Sequence, residues 1–324
     1  MIRHFLVSKR GTRSGTGKYK KPARGELAFI FLTAPTVEET DRLARDFKLD
    51  KTLLKDYTKI PYARRYSTKP FGFVMKDYFL ENNQTESSNL LFIIEERYVI
   101  LVSSKESRYY RKLFESSLDK ISEVRTKSVG YILYNFLQED VEDNYEVLEK
   151  TEEEISAIEK EVSDYQKEDK IDVDKIIKLK RRLFRIGRQF WASTKIITAL
   201  RTGSAHVKLD DDSKLLLGDI YETFLHQIDV VSSQKDMLSD VLAIHSTNLS
   251  NRLASISNEL NFVMKRLAAF ALILMVPTLI ASIYGMNFHY LPLADMRTGF
   301  EIMITSMVLS TLILVMLLRS RKWL

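Results

Sequence analysis

The sequence predicts an α+β cytosolic domain, followed by a long α-helical stalk and a C-terminal two-helix transmembrane hairpin. Three observations carry this. Residues 26–106 hold four runs rich in aromatic and β-branched residues around one stretch of helical spacing. From Asp219 to Ile283 there is no glycine, and Pro277 is the one proline. Two runs of seventeen uncharged residues, 267–283 and 302–318, stand near the end of the chain. The 324 residues suffice for two domains or one domain with an appendage, and a hydrophobic fraction of 45% permits a real core. There is no cysteine, so neither a disulfide framework nor a thiolate zinc site enters the reading.

Residues 1–25 read as a basic, flexible arm. Residues 3–24 hold eight Lys and Arg and no acid, interleaved with Gly and Ser, against a net charge of +6 for the whole chain. Such an arm suits a nucleic-acid or lipid-phosphate contact, but a frayed, solvated terminus explains it more simply. No nucleic-acid partner is expected. "GTRSGTGKY" fails as a phosphate-binding loop, because five residues separate Gly11 from Gly17 and Tyr19 stands where Ser or Thr should be. The N-terminus has no apolar core of a secretory signal, so the non-membrane part is expected in the cytosol.

Residues 26–106 form the α/β domain. "ELAFIFLT", "FGFVMKDYFL", "NLLFIIEE" and "RYVILVSS" are its strands. Between the first two, "PTVEETDRLARDFKLDKTLLKDY" is helical, opened by Thr36 and Glu39 as a capping box. Residues 107–218 are a helical hairpin region. Within it, residues 138–161 carry eleven acids against two lysines, and residues 175–188 carry seven bases and no acid. Apolar residues recur in both at three- and four-residue spacing, so a turn near Glu168–Asp172 would lay two amphipathic helices side by side. Most of these charges read as a solvated surface.

Residues 219–284 form the stalk and first membrane span. Sixty-five helical residues rise roughly 100 Å, too long for a globular domain. The first span covers 267–284, an external loop 285–299, the second span 300–318, and a basic tail 319–324. Lys265 and Arg266 precede the first span, and Arg319, Arg321 and Lys322 follow the second. Positive residues stay inside, which puts both termini in the cytosol, the short loop outside, and the hairpin in the plasma (inner) membrane. The lipid bilayer is thus one partner.

Stepping by threes and fours from Ser250 along the long helix gives Ala254, Ser257, Asn261, Met264, Ala268, Ala271, Met275, Thr278 and Ser282. This face is small, polar or Met throughout, while Leu267, Phe270, Leu274 and Leu279 lie off it. Polar groups facing lipid are costly unless partnered. The stripe is therefore a tight packing interface or the wall of a water-filled pore, and a pore requires several copies of the chain.

"YGMN" at 284–287, directly after the first of two C-terminal spans, resembles the CorA family of magnesium transporters. So do "NFVMKRLA", "MVPTLIASIYGMNF", "PTVEETDRLA" and "NYEVLEKTEEEI", which together run along nearly the whole chain in the family's order. The resemblance implies a funnel-shaped homopentamer with the first span of each subunit around one pore. It makes Gly285, Met286 and Asn287 the selectivity filter, with Asn287 an outer ring acting on the ion through its hydration water. Asn261, Met264, Ala268, Ala271, Met275, Thr278 and Ser282 then line the pore. Periodicity alone favours ordinary helix packing for Met264 and Met275; the family makes them an apolar constriction that closes by dewetting. Gly285 is expected to let the backbone turn where a Cβ would not fit. Asn287 would equally suit a left-handed residue at the helix end.

The resemblance further implies magnesium as both transported and regulatory ion, with cobalt and nickel as further cargo and no cofactor. Cytosolic sensing is assigned to Glu81, by a loose alignment, and to Asp219 in "GDIYE". Two departures stand out. His289 and Leu293 occupy outer-loop places where relatives often carry acids, leaving Asp295 as the loop's acid. Uncharged Ser250 and its neighbours stand where some relatives have an aspartate ring. The alternatives are a zinc transporter of the ZntB kind, against which Met286 counts, and a membrane-tethered scaffold that transports nothing, against which the polar stripe counts. An enzyme has the least support: His4, His206, His226, His245 and His289 show no metal-ligand spacing, and no nucleophile–base motif occurs.

Overall fold

Alternation along one strand sets the architecture of the N-terminal part: in Leu27–Thr33, Ala28, Ile30 and Leu32 point to one side and Phe29 and Phe31 to the other, and all five are buried. A strand greasy on both sides needs cover on both faces. The computed structural model, which describes residues 1–8, 11–61, 63–66, 69–123, 128–163, 172–205, 207–287, 291–293 and 296–324, supplies it. The chain divides into two units, Met1–Leu242 and Ala243–Leu324.

In the first unit seven strands form one mixed sheet. They are β1 (Ile2–Ser8), β2 (Gly11–Thr16), β3 (Leu27–Thr33), β4 (Arg64–Tyr66), β5 (Phe71–Glu81), β6 (Gln84–Glu95) and β7 (Tyr98–Ser103), in the order β2-β1-β3-β7-β6-β5-β4. The β3–β7 pair is parallel and the others are antiparallel. Helices α1 (Val37–Phe47) and α2 (Lys51–Asp56) cover one face, where Leu43, Phe47, Leu53 and Leu54 meet Ile30, Leu32, Ile93 and Ile100. Helices α3 (Arg108–Glu123) and α4 (Val129–Ser163) cover the other. There Phe136 meets Phe29, Phe31 and Phe92 at centroid distances of 5.8, 5.8 and 5.9 Å.

The expected capping box opens α1: Glu39 N donates to Thr36 Oγ1 at 3.2 Å, and Thr36 N donates to Glu39 Oε2 at 2.9 Å. The single helix expected over 35–57 is interrupted at Lys48, whose φ of 54° is left-handed, so the chain turns and Asp50 caps α2 anew.

The N-terminus differs from the expectation. The described part of the expected arm is built into the sheet: residues 2–8 and 11–16 form β1 and β2, and β1 lies between β2 and β3. The reason is the apolar set Ile2, Phe5 and Val7, all buried. Phe5 stacks on Phe29 at 4.9 Å. Tyr19, beyond the strands, is also held: its hydroxyl donates to Asp46 at 2.7 Å.

The helical region is richer than one hairpin. After α3 and α4 come α5 (Val173–Arg201) and α6 (Asp211–Tyr284), the latter beginning eight residues before the expected stalk. The expected turn falls largely on residues 164–171, outside the described residues; Asp172, at its edge, caps α5 by accepting from Asp174 N and Lys175 N. Within the first unit α6 buries Leu217, Ile220, Phe224, Gln227, Val231, Gln234, Leu238 and Val241, alternating three- and four-residue steps. α4 does the same with Val141, Asn144, Leu148, Thr151, Ile155, Ile158 and Val162. Such a repeat packs knobs into holes. Of the opposite charges on α4 and α5, Arg182 and Glu154 pair at 2.7 Å.

The second unit contains the end of α6 and α7 (Gly299–Ser320). Each carries a stretch apolar and long enough to cross a membrane, and both stretches are almost wholly exposed. A surface of this kind is stable only in hydrocarbon or against other protein.

Candidate pore face and filter

Exposure divides the membrane part of α6 into two sides. Ala269 is fully buried and Leu272, Ile273, Val276, Pro277 and Ile280 are partly covered. The candidate pore residues Asn261, Met264, Ala268, Ala271, Met275, Thr278 and Ser282 are all exposed, Met275 by 58%. At 3.6 residues per turn the centres of the two sets lie about 140° apart around the helix. The sequence-derived stripe is therefore not the side by which α6 is covered within its own unit. Along the span of α7 the less exposed residues are Met303, Met307, Ser310, Thr311, Leu314, Val315 and Leu318, also related by three- and four-residue steps.

Along the stripe, Ala271, Met275, Thr278 and Ser282 line a shallow depression together with Leu274 and Leu279. Thr278 donates its hydroxyl to the Leu274 carbonyl at 2.7 Å, and Ser250, at the stripe's start, donates to the Ser246 carbonyl at 2.9 Å. The Thr278 hydroxyl is satisfied by its own helix, as a polar group at membrane depth must be, while its remaining lone pair stays open to an incoming donor. Pro277 interrupts the backbone ladder beside it without ending the helix. At the other end of the span, the Arg266 guanidinium sits 4.3 Å above the Phe262 ring.

The helix closes just before the candidate filter tripeptide. Gly285 N donates to the Ala281 carbonyl at 2.9 Å and Met286 N to Ile283 at 3.3 Å, and Gly285, Met286 and Asn287 are exposed. The conformational expectation for Gly285 and Asn287 is corrected here. Neither has a positive φ, so neither is in the left-handed region. A Cβ on Gly285 would lie 3.3 Å from the Ala281 carbonyl, tight but not forbidden. Gly299, at the start of α7, is the glycine that close approach demands, because a Cβ there would overlap the Leu293 carbonyl. Leu293 itself has a φ of 67°. His289 and Asp295 lie outside the described residues. Glu301, which the loop-based reading passed over, is exposed in the first turn of α7, where its charge complements the helix dipole.

The two candidate sensing residues belong to the first unit and have separate surroundings. Glu81 ends β5, and its Oε1 accepts from Arg108 N at 3.1 Å, capping α3. Asp219 is exposed on α6. Its charge, after burial, helps to raise the Tyr134 phenol of α4 above its usual range. No hydrogen bond or ion pair joins the two within one chain among the described residues, and no group of three His, Asp or Glu there is arranged to hold a metal.

Comparison with known proteins identifies the family. The sequence profile described as "CorA-like Mg2+ transporter protein" matches residues 25–321. The chain is 25% identical over 311 residues to the cobalt/magnesium transport protein CorA of Thermotoga maritima, covering 94% of this chain and 86% of that one. It is 26% identical over 302 residues to the protein of the same description from Methanocaldococcus jannaschii, covering 92% and 91%. The complete structure of the CorA magnesium transporter from M. jannaschii superposes with a TM-score of 0.68 at 22% identity, covering 99% of this chain and 98% of that one. A match of this extent, with two helices long and apolar enough to cross a membrane, makes the chain a membrane protein belonging to the CorA-like Mg2+ transporter family.

Proposed function

We propose that the chain is a channel-type transporter that passes a hydrated divalent cation, magnesium above all, through a pore lined by the exposed stripe of α6. The observation that carries the reading is this stripe. It is turned away from the covered side of its own helix, it is small, polar or Met throughout, and it ends on Gly285, Met286 and Asn287. A single hairpin encloses nothing, so several copies must surround the pore; the family resemblance supports five. The basic residues at 265–266 and 319–322 support cytosolic termini. The relatives' descriptions as magnesium and cobalt/magnesium transport proteins support the choice of ion.

The chemistry suits such cargo. Magnesium holds its water in a tight octahedron and sheds it reluctantly. Carboxylates at the filter would compete for the bare ion and retain it. A ring of Asn287 carboxamide oxygens, joined by backbone carbonyls, accepts hydrogen bonds from hydration water and selects by size without stripping the ion. Deeper along the stripe, Met264 and Met275 form apolar constrictions that close when they dry. Glu81 and Asp219 act as cytosolic sensors, with magnesium bridging neighbouring subunits and closing the pore when it is abundant.

The decisive experiment is uptake into liposomes holding the purified full-length protein. Magnesium entry that saturates, exceeds zinc entry and needs no proton gradient is expected. Zinc uptake driven by a proton gradient, with little magnesium uptake, would replace this reading with transport of the ZntB kind. Uptake of neither ion by correctly assembled protein would leave only a membrane-tethered scaffold.

A further inference from the structure

Asp77, in β5, and Asp140, in α4, are each only 3% exposed, deep between the sheet and the helices that cover it. They face adjacent tyrosines of α3, Tyr110 and Tyr109, whose rings lie 5.2 Å apart, and the charge of Asp77 acts on Asp140. The donors to them are neutral: the Tyr110 hydroxyl gives a hydrogen bond to Asp77 Oδ2 at 2.9 Å, and the Tyr109 hydroxyl reaches Asp140 Oδ1 at 3.4 Å. Asp77 Oδ1 receives nothing from any N–H or O–H of the described residues. Two ionised carboxylates are acceptors only and cannot bond to each other. A proton on one of them supplies both the missing donor and the relief of like charge.

The charges around the pair favour the same state. From α4, Asp143 acts on both carboxyls and is itself crowded by Glu146 and Glu139. From α3, Lys112 offsets Asp143. From β6, Ser88 engages Tyr110. From α5, Arg185 and Arg188 act on Tyr78, and Arg185 on Lys76. The neighbouring cations thus act on other groups. Burial, with Asp143 adding to it, pushes the Asp77 carboxyl up to about 7. Burial and then the Asp77 charge raise Asp140 well above the carboxylate range.

We propose that Asp77 and Asp140 form a proton-binding site that fastens α3 and α4 to the sheet: protonated, the pair is a hydrogen-bonded junction, and ionised, it sets two like charges face to face in a dry core. The sign follows from linkage. The unfolded chain releases these protons near the ordinary Asp value of about 4, whereas the folded pair keeps them toward neutrality. Packing is therefore strongest in acid and weakens as pH rises, until the folded groups have themselves ionised at and above about 7. Cytosolic alkalinisation would loosen this junction whatever ion the protein carries, so the site stands or falls apart from the transport reading.

Hydrogen exchange on the full-length protein in detergent micelles tests it. Protection factors in β5 and the adjoining part of α4 should fall at least about tenfold per pH unit between pH 5 and 7, the slope for one retained proton. In Asp140→Asn, whose amide mimics the neutral partner and donates to Asp77, the fall should shrink below about threefold per unit. Should that variant fail to fold, infrared titration of the wild type decides: a protonated-carboxyl band must persist at pH 6 and vanish in alkali. Flat wild-type protection, an equal slope in Asp140→Asn, or no such band overturns the proposal.

Discussion

Replacing Gln227 and Gln234 of α6 by Met should leave the protein as stable as before or make it more so. Both glutamines sit in the apolar seam, at 0% and 2% exposure and one heptad apart. Gln227 Nε2 donates to the Val141 carbonyl at 2.6 Å and Gln234 Nε2 to the Leu148 carbonyl at 2.8 Å, so the same heptad step repeats on α4. Each carbonyl lies inside α4 and keeps its helical N–H, so losing the glutamine orphans no acceptor. A net hydrogen bond of about 0.5–1.5 kcal/mol is lost. Against it, the glutamine Oε1 atoms, both buried without a donor among the described residues, disappear, and each unsatisfied group costs about 1–3 kcal/mol. Met fills similar space with apolar atoms. The balance per site lies between roughly neutral and a gain of about 2 kcal/mol; at about 2–4 °C per kcal/mol for a unit of this size, Tm should hold or rise by several degrees. The assay is thermal unfolding of the full-length protein in detergent, followed by near-ultraviolet circular dichroism. What the double variant should lose is a fixed register between α4 and α6, seen as disulfide cross-linking spread over several cysteine pairs instead of one. A fall of more than about 8 °C for either single substitution would show that the bonds stabilise far more than they specify, and would refute the reasoning.

Three substitutions probe the transport reading. Asn287→Ala should abolish selective magnesium uptake into liposomes while the oligomer stays intact by size-exclusion chromatography; full uptake by assembled variant would remove Asn287 from the filter. Met275→Asp should wet the constriction and raise flux at high cytosolic magnesium several-fold, whereas wild-type leakage would mark Met275 as packing only. Asp219→Lys supplies a fixed positive charge where a regulatory ion would sit, so protease protection of the first unit should no longer need magnesium; an unchanged magnesium dependence would show that Asp219 senses nothing.

Local pattern made most of the fold legible. The capping box at Thr36 and Glu39, the two-sided greasy strands and the two uncharged runs each depend on neighbours in sequence, and each appears where expected. The N-terminus misled because eight basic residues masked four apolar ones, Ile2, Phe5, Leu6 and Val7, that suffice to pair β1 with β3. Seven of the eight bases lie beyond β1, and Arg3, the one within it, is itself buried, so counting charge said nothing of the strand. The break between α1 and α2 escaped for a different reason: "FKLDKT" keeps helical spacing, and the left-handed turn at Lys48 carries no Gly or Pro to announce it. Local propensity yields there to the packing of Phe47 and Leu53 on the same face of the sheet.

The candidate pore face was legible because a membrane removes ambiguity: a small and polar stripe on a helix that must lie in hydrocarbon already excludes lipid on that side. Its conformation at the filter was not. The helix end invited a turn too tight for a Cβ at Gly285 and a left-handed residue at Asn287, yet neither has a positive φ, and the steric demand of this stretch falls on Gly299, against the Leu293 carbonyl. Which glycine is indispensable depends on what passes over it, and that is a fact of tertiary structure. The buried acids make the same point more strongly. Asp140 stands among eleven acids in residues 138–161, and nothing in its own sequence separates it from the solvated ones. Only when α4 lies on β5 does Asp77 meet it, with Tyr109 and Tyr110 closing off water. A carboxyl's charge state follows from its surroundings, so a sequence can reveal how many acids a helix carries but not which of them keeps its proton.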